Sequence, residues 1–341
     1  MPEHAGAAAW LERVWYGGQG GGWLRPLGWL YRGLMALRAQ AYRHHLLRSE
    51  RVDIPVIVVG NLTVGGTGKT PLTAWLVARL VEQGYKPGIA TRGHGRSGQG
   101  VLQVSATHLP AEVGDEPVLL ARRTGVPVCV AARRLDAARQ LQAIGCDVIV
   151  CDDGLQHLAL GRDLEIAVVD GQRGLGNGRL LPAGPLREPR SRLATVDFVV
   201  LNGGDQAAAM TWPGALRMRL EGSVVLPLEP GTAPRSLEAF KGQRVHAVSG
   251  IGNPGRFFAS LRAAGLDVVE HPFPDHHAFV AADLAFDDAE PVLMTEKDAV
   301  KCEAFADPRL WYVPVEAGFA ASDAARLTAS LVALFRQGER S

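Results

Sequence analysis

Cysteine is scarce in this 341-residue chain: Cys129, Cys146, Cys151 and Cys302 are the only four, and none forms a CxxC pair. That density is too low for a disulfide framework, so the thiols read as reduced and mostly buried, as in a cytosolic protein, with zinc disfavoured. No run of about 20 apolar residues occurs, which argues against a membrane-spanning helix. The first residues lack the basic start and short apolar core of a secretory signal. No HxxxH or HExxH spacing, internal repeat or low-complexity stretch is found. Acidic residues are missing from one place in particular: none lies between Glu12 and Glu50, while six Arg do.

What is present begins with that asymmetry. The formal net charge is only +1, but residues 1–51 hold seven Arg and three Glu, a net of +4, which leaves −3 for 52–341. A net-acidic body without an aromatic and basic platform predicts no nucleic-acid partner. On a helical wheel Leu27, Leu30, Tyr31, Leu34 and Ala41 share one stripe, with Leu37 at its edge. Arg25, Arg32 and Arg43 lie almost opposite, Pro26 suits a first turn, and Arg38 falls on the apolar side. Two readings stand: an interfacial helix with Arg near anionic lipid, or a surface helix packed on its own domain.

Hydrophobic residues make up 47% of the chain, enough for a substantial core, and the length suggests two domains. Short β-branched runs at Val56–Val59, Val128–Val130, Val148–Cys151, Ile166–Val169 and Phe198–Leu201 alternate with helical stretches such as 72–83 and 135–144. This predicts an α/β fold, a parallel sheet with helices on both faces. A second set follows at Val245–Ser249, Leu266–Glu270, Val292–Thr295 and Tyr312–Val315, with helices near 256–264 and 324–336. The expected organisation is a basic amphipathic membrane-association segment (1–51), a nucleotide-binding domain (52–211), a Pro- and Gly-rich linker or β-ribbon (212–243) and a smaller α/β domain (244–341).

The most informative motif follows the strand at 56–59. Gly60-Asn-Leu-Thr-Val-Gly-Gly-Thr-Gly-Lys-Thr-Pro71 leads into an amphipathic helix, the strand, Gly-rich turn and helix context of a Walker A loop. Thr63, Val64, Gly65, Gly66, Thr67 and Gly68 would turn backbone N–H groups toward phosphate oxygens. Lys69 would reach the β- and γ-phosphates, and the Thr70 hydroxyl would ligate Mg²⁺. The strict GxxxxGK[ST] spacing asks for glycine where Thr63 stands. ATP with Mg²⁺ is the expected cofactor.

Other candidates sit after strands. Asp152 and Asp153 follow the run 148–151, where a P-loop fold places its metal-holding carboxylate; the rival reading is a solvated Asp-Asp-Gly turn. Gly114-Asp115-Glu116-Pro117 opens another helix, where Asp115 could be an ordinary N-cap, a catalytic group, or both. His276 lies beside Asp275 in a loop that could serve acid–base chemistry or merely be solvated. Arg92, Arg96, Arg133 and Arg134 could clamp phosphate.

Together these stretches resemble one family, the tetraacyldisaccharide 4′-kinases (lipid A 4′-kinases). The resemblance rests on GNLTVGGTGKTP (60–71), TRGHGR (91–96), GDEP (114–117), AARR (131–134), CDDGLQH (151–157), LPAGPLREP (181–189), SGIGNPGRFF (249–258), FPDHHAF (273–279) and TEKDAVKC (295–302). His94 departs from the Tyr common in that family. The resemblance implies a P-loop domain joined by a β-ribbon to a smaller α/β domain. It implies transfer of the ATP γ-phosphate to the 4′-hydroxyl of a tetraacyl disaccharide 1-phosphate, on the cytoplasmic face of the inner membrane; a monomer is the separate expectation. Asp115 looks like the base, assisted by His276, with Lys69 and Arg133 as further catalytic candidates. Asp152, Asp153, Thr70 and Glu116 look like the metal group. A membrane-associated switch ATPase is the alternative, but its deviant KGGxGK[ST] loop needs Lys where this chain has Val64.

Overall fold

The computed structural model describes residues 3–338 except 19, 94, 95, 97, 99, 106, 206, 207, 209 and 210. Two sheets organise it. The larger has nine strands, and its parallel body runs in the order β4 (Val128–Val130), β2 (Pro87–Thr91), β5 (Val148–Cys151), β1 (Val56–Gly60), β6 (Leu164–Asp170), β7 (Phe198–Asn202) and β8 (Leu216–Glu221). Two antiparallel edge strands, β3 (Leu102–Val104) and β15 (Glu316–Phe319), close it.

Successive residues of β1 point to opposite faces, as strand geometry requires. Ile57 and Val59 join a core with Leu72, Leu76 and Leu80, the buried stripe of α3 (Lys69–Glu82). Val56 and Val58 join a second core with Leu135, Ala138 and Leu141 of α6 (Arg134–Ala143). All five residues of β1 are buried. Truncating a core leucine such as Leu76 to alanine removes about 2–5 kcal/mol of stability.

The smaller sheet has six strands, β10 (Arg235–Ser236), β9 (Val224–Pro227), β14 (Leu310–Val313), β13 (Val292–Thr295), β11 (Arg244–Ser249) and β12 (Asp267–Pro272), in that order. Its register is parallel from β14 to β12.

The sequence-based boundaries need two corrections. Within 212–243, β8 and β9 do not pair with each other; β8 extends the larger sheet and β9 the smaller. The ribbon between the sheets is made instead with the return crossing, since β15 pairs with β8 and β14 with β9, both antiparallel. Second, the chain beyond Val315 does not belong to the smaller domain. β15 joins the larger sheet, and the helix Ala321–Gly338 places Leu327 and Leu331 in the core over α3, where Phe335 stacks on Tyr85 at 3.6 Å. The smaller domain is thus an insertion between β8 and β15.

At the start of the chain, α1 (Glu3–Tyr16) and α2 (Arg25–Arg43) lie against the larger domain. Trp15 donates its indole N–H to Pro182 O, and the Tyr31 hydroxyl donates to Arg187 O. Gly28 of α2 is buried against Ala183. The apolar stripe read on the wheel splits: Tyr31 turns inward, but Leu30, Leu34 and Leu37 are 63%, 58% and 69% exposed. Arg38, the misfit on that wheel, turns inward too and donates to Gln156 O at 3.0 Å. Among the described residues, no helix is long and apolar enough to cross a membrane.

Candidate active site

Because β1, β5, β2 and β4 are parallel neighbours, the segments leaving their carboxyl ends converge at one edge of the larger sheet. That is where open α/β sheets bind ligands. The P-loop follows β1, Asp152 follows β5, Arg92 follows β2, and Arg134 opens the helix after β4. A cavity of about 690 Å³ runs between them and takes in Lys69, Glu116, Asp153, His276 and Lys297, with Tyr31, Met35 and Arg38 of α2.

The loop takes its curl at Gly68, the second glycine of the strict pattern, and at Gly65, which that pattern does not name. Gly65 and Gly68 have φ of 107° and 92°, whereas Thr63 is extended enough to bridge Leu186, so glycine has no role there. A Cβ on Gly68 would lie 2.2 Å from Asn202 Nδ2, whose amide donates to Thr67 O at 2.8 Å. Thr63 and Thr67 are buried; Val64, Gly65 and Gly66 line the cavity. Lys69 donates to Asn61 Oδ1 at 3.2 Å and sits 3.5 Å from Asp153. Thr70 is half-buried in the first turn of α3.

The two aspartates after β5 have divergent environments. Asp152 is fully buried; Thr73 of α3 donates to its Oδ1 at 3.0 Å, while Oδ2 has no protein partner. Burial first, then the nearby Glu116 carboxylate, push its carboxyl up to about 7. Asp153, at a left-handed φ of 51°, receives two hydrogen bonds from Arg187 at 3.0 and 3.1 Å. Burial would raise its carboxyl, but Lys69 and then Arg187 outweigh this and hold it at about 2. An orphaned, buried carboxylate oxygen beside a P-loop fits a magnesium site. Among the described residues no three His, Cys, Asp or Glu form a ready-made metal cage. Mg²⁺ differs from most metals in needing only one or two carboxylates plus substrate phosphates.

Asp115 is the first residue of α5 (Asp115–Thr124) and is 6% exposed. Its Oδ1 accepts from the Glu116 N–H at 2.9 Å, but the N-cap position is Gly114 and no side chain caps this helix, so the N-cap reading of Asp115 is corrected; Oδ2 accepts from His276 Nδ1 at 3.0 Å. His276 comes from the smaller domain and is held at a left-handed φ of 60°, a strain that site residues commonly carry. Burial alone would raise the Asp115 carboxyl; the His276 hydrogen bond and then Lys297 outweigh it and bring it to about 2. The same hydrogen bond is the main reason that His276 is raised.

Lys297 was missed in the sequence because a lysine in the first turn of a short helix, Glu296–Cys302, reads as solvated. It is instead the hub of the site. Its ammonium donates to Glu116 at 3.0 Å and Asp275 at 3.3 Å, lies 3.4 Å from His276 Nε2 and 3.9 Å from Asp115. Burial would lower its pKa, but Glu116, Asp115 and Asp275 raise it, so the ammonium stays charged. Glu116 is therefore tied to this lysine. Arg187 was likewise hidden in the LPAGPLREP stretch.

Arg133 is corrected. Its side chain is 59% exposed and pairs with Glu50 at 3.3 Å outside the cavity, while its neighbour Arg134 is buried and lines it. The helix begins at Arg134, which turns the two side chains apart. Arg92 lines the cavity; Arg96 instead donates to Val130 O. His94 lies outside the described residues.

The smaller domain also touches the P-loop directly. Arg173 donates to Gly252 O at 2.8 Å, and a Cβ on Gly252 would come within 2.5 Å of Gly66 N. Arg256 donates to Asn202 Oδ1 at 2.6 Å. A kinase acting on a second, bulky substrate needs such a two-domain cleft.

Comparisons with known proteins agree. A family model described as Tetraacyldisaccharide-1-P 4′-kinase matches residues 22–335. The tetraacyldisaccharide 4′-kinase of Methylobacillus flagellatus is 50% identical over 96% of this chain and 97% of its own length. That of Alkalilimnicola ehrlichii is 53% identical over 91% and 92%. The crystal structure of the "apo" form of LpxK from Aquifex aeolicus in complex with ATP superposes with a TM-score of 0.75 at 29% identity, covering 92% of this chain and 99% of that one. Matched over most of its length by that family model and by relatives at 50% and 53% identity, the chain belongs to the tetraacyldisaccharide-1-phosphate 4′-kinase family.

Proposed function

We propose that the cleft moves the γ-phosphoryl group of ATP to the 4′-hydroxyl of a tetraacyldisaccharide 1-phosphate, with Asp115 receiving that hydroxyl. The Asp115–His276 contact carries this reading. A switch ATPase needs a P-loop and metal carboxylates, but not a buried acceptor group completed by a second domain. Asp115, held at about 2, is ionised at any working pH. In a loose phosphoryl transition state the nucleophile needs orientation more than early deprotonation, and an ionised carboxylate supplies that. The oxygen–phosphorus bond forms at the 4′-oxygen as the bond to the β-phosphate bridging oxygen breaks, and the hydroxyl proton passes to Asp115, steadied by His276.

Lys69 would leave Asn61 and Asp153 for the nucleotide's phosphates. Asp152, through its unpartnered Oδ2, and the Thr70 hydroxyl would hold Mg²⁺, which supplies positive charge to the phosphates when bound, while Asp153 and Glu116 are taken up by Arg187 and Lys297. Incubation with labelled ATP and the disaccharide lipid should yield labelled lipid. Free phosphate alone, released at the same rate without lipid, would establish the switch ATPase instead.

The exposed face of α2 supports a peripheral seat on the cytoplasmic face of the inner membrane. Leu30, Leu34 and Leu37 contribute little to the protein's own core, so changing all three to serine should leave folding intact. At about 1 kcal/mol each in the interface, the change should weaken sedimentation with anionic phospholipid vesicles roughly 100-fold. Unchanged sedimentation would make α2 a packed helix only. Point changes are the sharper test, because Tyr31, Met35 and Arg38 line the cavity and deleting 1–51 would remove a wall of the site. We infer that the chain works as a monomer, since both halves of the Asp115–His276 contact come from one chain.

A further inference from the structure

The cavity has more positive charge than phosphoryl transfer accounts for. Its lining holds six cationic side chains, Arg38, Lys69, Arg92, Arg134, Arg187 and Lys297, against three carboxylates, Glu116, Asp153 and Asp275. Lys69 and Arg187 are engaged with Asp153, and Lys297 with Glu116 and Asp275. Arg38 is different. Its guanidinium donates to a neutral acceptor, Gln156 O, at 3.0 Å. Arg134, buried on the same lining, donates to another backbone carbonyl, Asp153 O, at 3.3 Å, and its Nε has no hydrogen-bond partner.

His157 shares that lining. Its Nε2 accepts from the Arg134 N–H at 3.2 Å. Burial and then Arg134, Arg162 and Arg38 hold its imidazole down at about 4. A buried guanidinium with an unpartnered Nε, on one lining with a second that donates to a carbonyl and lies over the Tyr42 ring at 5.8 Å, is a seat for an anion. The seat is on the wall contributed by α2, the helix whose other face is apolar and exposed.

Resting on the kinase reading above, we propose that Arg38, backed by Arg134, binds the phosphomonoester that the lipid acceptor already carries at position 1. The acceptor has its reacting hydroxyl on one sugar and its fixed phosphate on the other. With the hydroxyl at Asp115, a second anion site within the same cavity fixes the direction in which the disaccharide lies. A phosphomonoester carries about −1.5 to −2 charges at neutral pH, enough to engage both guanidinium groups. Arg38 then reports, from the membrane-facing helix, that the correct end of the lipid has entered.

The test compares two acceptors in excess neutral-detergent micelles: the tetraacyl disaccharide 1-phosphate and the same lipid without the phosphate. Wild-type protein should prefer the phosphorylated acceptor in kcat/KM. Arg38→Ala should shrink that preference about ten-fold or more, mainly through KM for lipid, with the KM for ATP close to wild type. Arg38→Lys, which keeps charge without the planar fork, should recover part of the preference. An equal loss on both acceptors would overturn the seat and make Arg38 a brace for Gln156. If wild-type protein phosphorylates neither lipid, the kinase reading falls, and the seat with it.

Discussion

Asp115→Ala should lower kcat by about 10³- to 10⁴-fold while the KM for ATP moves less than about three-fold. The asymmetry follows from the placement of the residue. Asp115 stands on α5 against the smaller domain's His276, not on the P-loop, so in the proposed reaction its loss would remove the acceptor for the hydroxyl and leave the phosphate cradle intact. Lys297 retains Glu116 and Asp275, so no buried charge is stranded. Asp115→Asn keeps the shape but not the charge and should be nearly as impaired. His276→Ala, which removes only the partner, should cost about 10- to 100-fold. A kcat within ten-fold of wild type for Asp115→Ala would remove it from the acceptor role.

The pH dependence has a definite sign. Asp115 is depressed to about 2, so no acidic limb above pH 4 belongs to it. His276 is raised from 6.5 by the Asp115 hydrogen bond, so the charged pair is complete below 6.5 and is lost as pH climbs through the raised value. An alkaline limb present in the wild type and absent in His276→Ala is the expected pattern.

Asp152→Asn should do two opposite things: abolish turnover and raise the melting temperature of the ligand-free protein. Asp152 is fully buried with one oxygen unpartnered, and its carboxyl stands at about 7 rather than the ordinary 3.8. Between those two values the folded state binds more protons than the unfolded one, so stability falls as pH rises from 4 to 7. Asparagine carries no charge to bury and can still accept from Thr73. Thermal unfolding at pH 5 and pH 8 should therefore show a steeper decline in the wild type than in the Asn variant, which keeps only the part due to His276. MgATP should stabilise the wild type at pH 8 and have little effect on the variant. An equal or lower melting temperature for Asp152→Asn at pH 8 would mean that the burial of this carboxylate carries no strain.

Much of this was legible because it is local. β1 through α3 can be read from the four consecutive apolar residues Val56–Val59, a Gly-rich turn and leucines four apart, and Asp152 from its place at the end of an apolar run. Asp115 and His276 were read as candidates, but their contact joins residues 161 apart and depends on how two sheets face each other. Lys297 and Arg187 were not legible, since the partners that make them functional lie in other segments. Arg133 and Arg134 show the limit most clearly. They are identical in type and adjacent, and only the start of α6 decides which one faces the cavity. The domain boundary failed for the same reason, since pairing of β15 with β8 is a long-range choice that no local pattern announces.

That pairing also orders the events of synthesis. Strands β9 to β14 all lie within residues 224–313, so the smaller domain has its whole sheet before the larger one has its last strand. The host remains open over α3 until residues 316–338 supply β15, Leu327 and Leu331. A chain leaving the ribosome thus finishes the guest before its host, and the nucleotide-binding sheet is closed only after residues 316–338 have been made.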